Sequence, residues 1–151
     1  MNWIDAVQAW QVNPQPGRRG MKVTGETDLQ HLLRGMAPEV VGCDWGYACA
    51  TSLPAGVTPF ATVAEDKGLT LIAPMEELAA AGLSPLGPMA RITLTIHSSL
   101  AAVGLTAAVS QALAARGISA NMIAGFHHDH IFVPADRAEE ALAALWALTH
   151  D

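Results

Sequence analysis

The chain has 151 residues, 51% of them hydrophobic and 15% charged, a composition that can bury a core and speaks against disorder. Eight Lys and Arg against fourteen Asp and Glu leave a formal net charge of −6. No basic run could neutralise a phosphate backbone, so nucleic acid is set aside as a partner. No apolar run approaches the roughly 20 residues of a membrane span, and the N-terminus lacks the basic-then-apolar order of a signal peptide. A cytoplasmic protein that does not act on a membrane is expected.

Trp3, Ile4, Val7 and Trp10 follow helical spacing, and Asn13 to Gly17, with two prolines, breaks any helix there. Residues 1–20 therefore read as a helical arm and linker. Either the arm docks its tryptophans on a partner subunit, or it is an extension ahead of a beginning at Met21. Lys22 to Thr24 reads as a short strand. Thr27 can cap a helix in which Leu29, Leu32, Leu33 and Met36 share a face. Val40 to Thr51 is strand-like, with glycines at Gly42 and Gly46, and Pro59 to Ala64 is a second strand. A turn over Glu65–Gly68 leads into the apolar Leu69–Ala73, and a helix runs from Pro74 to about Ala81. Cys43 and Cys49 lack the spacing of a zinc or redox pair and are expected as reduced, buried small hydrophobes. Gly82–Pro88, rich in proline and glycine, is the expected boundary between residues 21–83 and residues 89–151.

The second half is more regular. "RITLTIH", Arg91–His97, alternates and is rich in β-branched residues, as a half-buried strand should be. Leu105, Ala108, Val109, Ala112 and Leu113 form one helical face, and Gly117 sits where a left-handed residue would stop that helix. Ile118–His127 and Ile131–Val133 read as strands joined by the intervening polar residues. Asp136 and Glu139 have the spacing of a capping box, opening a helix with Ala138, Ala141, Leu142, Leu145 and Trp146 inward. Trp45 and Trp146 are expected as core or interface anchors, and Glu65 and Asp66 as an exposed turn. The order is β-α-β-β-α, plausibly repeated, and it predicts an α+β fold of two ferredoxin-like units with helices on one face of antiparallel sheet.

"RITLTIHSSLAAVGLTAAVSQALAARGISANMIAGFHHDHIFVPADRAEEALAAL", Arg91–Leu145, resembles an ACT domain of the variant that bacterial two-ACT-domain proteins share with eukaryotic arginine sensors. "TDLQHLLRGMAPEV" through "EDKGLTLIAP" resembles the divergent first domain of those proteins. The resemblance implies βαββαβ modules that pair, here as a homodimer, and bind amino acids between domains, acting on a separate partner protein. It also implies that the loop His97–Gly104 contacts the ligand, with Gly104 as the family's ligand-contacting glycine. Two departures are visible: Val103-Gly104 stands where Pro-Gly is common, and no sixth strand follows Val133.

The loop has the right chemistry in its own terms. A glycine before a helix lets a ligand approach the backbone, and the N–H groups of the first turn favour a carboxylate. The expected ligand-binding residues are His97, Ser98, Ser99, Val103, Gly104, Leu105, Thr106 and Asp129. Asp129 would face a ligand ammonium, and the hydroxyls of Ser98, Ser99 and Thr106 would either contact ligand or cap the helix. A different class of reading takes His97, His127, His130 and Asp129 as metal ligands, or the metal as the centre of an enzyme. A third takes the chain as a ligand-free interaction module. If His128 and Asp129 formed a two-residue turn, His127 and His130 would face each other, and a different turn would separate them. No nucleophile elbow or phosphate loop is present, and neither enzymatic activity nor a cofactor is expected.

Overall fold

The computed structural model describes residues 25–98, 100 and 102–150. The expected arm at residues 1–20 and strand at Lys22–Thr24 lie outside them. The elements are α1 (Leu29–Gly35), β1 (Pro38–Val40), β2 (Trp45–Ala50), β3 (Ala61–Glu65), β4 (Gly68–Pro74), α2 (Met75–Ala80), β5 (Leu86–Leu94), α3 (Leu105–Ala114), β6 (Asn121–Ala124), β7 (Asp129–Pro134), a 3-10 turn (Ala135–Arg137) and α4 (Ala138–Ala147).

Alternation decides which residues of each strand meet the helices. In β5, Ala90, Ile92 and Leu94 are fully buried, and in β7 Ile131 and Val133 join them. These residues meet Leu105, Val109 and Leu113 of α3 and Ala141, Ala144 and Leu145 of α4 in one core, to which α1 adds Leu32 and Met36. A smaller core holds Val57, Leu71, Ala73 and Leu78 of α2. Both cores lie on one face of a single antiparallel sheet, ordered β3-β4-β2-β5-β7-β6, with β1 also paired to β5.

The pairing partitions into two ferredoxin-like units that exchange strands. β1 pairs with β5 over Ile92–Leu94, whereas β2 pairs with it at Met89 and Leu86, with a register shift between those two pairs. Hence β2, β3, β4 and the start of β5 make one four-stranded set, and the rest of β5, β6, β7 and β1 make the other. The strand missing after Val133 is supplied by β1, from the first half of the chain. The stretch 82–88, expected as the boundary between the units, runs into β5, which begins at Leu86.

Other expectations need correction. Asp28, not Thr27, caps α1, its carboxylate accepting from the His31 N–H at 2.9 Å. Val40–Thr51 is two strands, broken where Val41 and Gly42 bond to the backbone of Arg91. The capping box at Asp136 is absent: α4 has no side-chain cap, and Arg137 bridges Glu140 at 2.7 Å and donates to the Arg116 carbonyl. Trp146 is 42% exposed, and both cysteines are free and exposed. Gly117 does end its helix with φ 64°, letting Ile118 N–H reach back to the Leu113 carbonyl.

Candidate functional site

The hairpin β6–β7 sets the geometry. Ala124 pairs with Asp129 and Ile123 with His130, so Gly125–His128 form the turn, closed by Gly125 N–H donating to the His128 carbonyl at 3.0 Å. Asp129 therefore belongs to the helix-covered face and His130 to the opposite one. His130 rests its ring against Phe60, centroids 4.8 Å apart, with Nδ1 3.0 Å from Thr93 Oγ1. His127 instead meets His97, centroids 5.5 Å apart, and His128 Nδ1 lies 3.3 Å from the Ile96 carbonyl. His97, His127, Asp129 and His130 thus do not converge, which removes the metal arrangement drawn from them. No group of three or more His, Cys, Asp and Glu suited to a metal ion occurs among the described residues.

Asp129 is buried, and Ser98 Oγ donates to its Oδ2 at 2.9 Å. The same two side chains line a pocket of ≈ 70 Å³ with Leu100, Ala102, Leu105, Thr106 and Ala124. One wall is the start of α3, whose first turn has no side-chain cap, so the positive end of that helix borders the pocket. Of the expected ligand residues the fold brings Ser98, Leu105, Thr106 and Asp129 together. His97 and Val103 are exposed and do not line the pocket, and Ser99 lies outside the described residues.

Gly104 is constrained by the backbone and by a neighbouring helix. It is the N-cap of α3 with φ 105°, a conformation that disfavours a side chain. A Cβ there would stand 2.9 Å from Leu29 Cδ2, so its open side faces α1. The missing side chain makes room for that helix, and Ala102 and Leu105, on either side of the glycine, line the pocket. Leu100, Ala102 and Ala124 were missed because apolar lining residues carry no local signal. The bridge of Glu26 to Ser98, with Glu26 N–H donating to the His97 carbonyl at 3.1 Å, was equally invisible.

Family models described as ACT domains match residues 24–90 and 90–146. The chain belongs to the ACT domain family. Two ACT domains in tandem therefore account for the exchanged units, with the junction of the two matches falling inside β5. A Vibrio cholerae protein of unknown function, termed a possible transport protein, shares 43% identity over 80% of this chain and 95% of its own, with TM-score 0.73. An Agrobacterium tumefaciens protein matches at 16% identity over 76% of this chain and 89% of its own, with TM-score 0.60. The regulatory subunit of aspartate kinase from Thermus thermophilus matches at 15% identity over 85% of this chain and 98% of its own, with TM-score 0.57. At the two lower identities the likeness is one of ACT fold alone. None of the curated proteins matches the chain. No helix among the described residues is long and apolar enough to cross a membrane.

Proposed function

We propose that this tandem ACT protein is a regulatory module that binds a free amino acid and acts on a separate protein through domain pairing, as a homodimer and without catalysis. The observation that carries the reading is the buried Asp129, held by Ser98 beside the uncapped start of α3. An α-amino acid carries an ammonium and a carboxylate one carbon apart, and the pocket offers an anion and a helix N-terminus on adjoining walls. Thr106 adds a hydroxyl at that wall. The volume of ≈ 70 Å³ admits the amino-carboxylate head. The side chain would leave through the mouth, past the loop carrying His97, Val103 and Gly104. The likeness to an aspartate kinase regulatory subunit supports a regulatory role for the same fold.

The test is a thermal-shift screen of the twenty amino acids, followed by calorimetry on any that raises the melting temperature. One or a few should bind the wild type, and D129N should abolish that binding while remaining folded. A flat screen, or full affinity in D129N, would overturn the reading.

A further inference from the structure

The helix-free face of the sheet carries a second cluster, unrelated to the pocket at Asp129. Arg91 projects there from β5, with its guanidinium carbon 4.5 Å from the centroid of Trp45 and 4.6 Å from that of Phe60. Those two rings stand 5.8 Å apart at 70°, so they form a corner in which the guanidinium sits. Phe132 closes the base, edge-on to Trp45 and tilted against Phe60. The corner is itself anchored: Trp45 Nε1 donates to the Val41 carbonyl at 3.2 Å, and the Phe60 N–H donates to the Ile72 carbonyl at 2.7 Å.

Among the described residues this cation has no counterpart. Neither ion pair found among the described residues involves Arg91, and its Nε is buried with no hydrogen-bond partner. Tyr47, which packs edge-on to Phe132, has a buried hydroxyl in the same condition. Leaving such donors unmet is costly, and burial already weighs against the charge on Arg91. A chain with net charge −6 has carboxylates to spare, yet none is placed beside this guanidinium among the described residues.

We infer that Arg91 anchors a second ligand site, which takes a small carboxylate whose apolar body lies against Trp45 and Phe60. The planar guanidinium fork matches a carboxylate through two parallel hydrogen bonds, and it is held in place before the ligand arrives. A single cation in an acidic protein suits a monoanion better than a phosphate dianion. Trp45 and Phe60 come from the first unit, and Arg91, His130 and Phe132 from the second. A ligand held there would fasten the two units together.

Benzoate is the probe, and benzamide, which keeps the ring and loses the charge, is the control. Calorimetry should show saturable benzoate binding to the wild type and to D129N, with none for benzamide and a loss of about tenfold or more in R91Q. The wild type also gives a readout free of folding defects. Phenylglyoxal should modify Arg91, detected by peptide mass spectrometry, and benzoate should slow that modification while benzamide does not. Equal benzoate affinity in R91Q, or no protection of Arg91, overturns the site. If the wild type ignores benzoate and R91Q converts a dimer to a monomer, the carboxylate comes from a second copy, and the small-molecule site is likewise overturned.

Discussion

Ser98 and Asp129 meet inside the fold at 2.9 Å, the hydroxyl donating to Oδ2, although thirty-one residues separate them in sequence. The bond ties the end of the segment that follows β5 to the first residue of β7. Ser98→Ala leaves Asp129 buried without that donor, and the expected cost is about 1–3 kcal/mol in urea unfolding at neutral pH. Ser98→Thr, which keeps the hydroxyl, should restore most of it. A Ser98→Ala chain as stable as the wild type would show that the bond contributes nothing.

Gly104→Ala should destabilise by about 1–3 kcal/mol, because a φ of 105° disfavours any side chain and the new Cβ meets Leu29. Combining it with Leu29→Ala removes the contact and leaves the backbone cost. The double variant should therefore be less destabilised than the sum of the two single changes, measured by denaturant unfolding. Simple additivity would dissociate Gly104 from Leu29.

Leu32 and Leu78 are both fully buried, but in different cores. Truncating either to alanine should cost about 2–5 kcal/mol. The location of the damage should differ. Leu32→Ala should speed amide exchange in β5 and β7 more than in β3 and β4, and Leu78→Ala should do the reverse. Identical exchange patterns for the two variants would mean that the cores open only together.

His130 makes stability depend on pH. Burial, then Arg91, then His128 hold its pKa below the ordinary 6.5, with Asp129 opposing them. Between the folded and unfolded pKa values the unfolded chain binds the proton more readily, so stability rises with pH there. The contribution is complete above the unfolded value and is lost as pH falls through the folded one. Melting temperature should decline from about pH 7.5 to about pH 5, and His130→Asn should flatten part of that decline. An unchanged slope in the variant would place the dependence on other groups.

The second unit was readable because its signals are local: the alternation in Arg91–Leu94, the apolar face of α3 and the glycine at Gly117 each act within a few residues. What stayed hidden depends on pairing over long distances. The hairpin turn could have been two residues or four, and only the register Ala124↔Asp129 decides that Asp129 is buried while His130 faces Phe60. Trp45, Phe60 and Arg91 are scattered in the chain and become one cluster only when β2 and β7 flank β5. An arginine opening the β-branched alternation of "RITLTIH" was the available hint. The pocket was half legible: Ser98, Leu105, Thr106 and Asp129 were named from chemistry and resemblance, whereas the packing of Leu29 against Gly104 was not, because a glycine before a helix does not reveal which neighbour needs the space.

The strand that β1 lends to the second unit also governs when the protein can fold. The Thr95 hydroxyl donates to the Ala37 carbonyl across fifty-eight residues of sequence, and at ~5–20 residues per second a ribosome needs roughly 3–12 s to make that interval. During those seconds α1 and β1 are already made, while β5, their partner, is not. α1 and β1 therefore wait for the second unit, and a nascent chain arrested before β5 would display Leu32 and Met36 to whatever else is in reach.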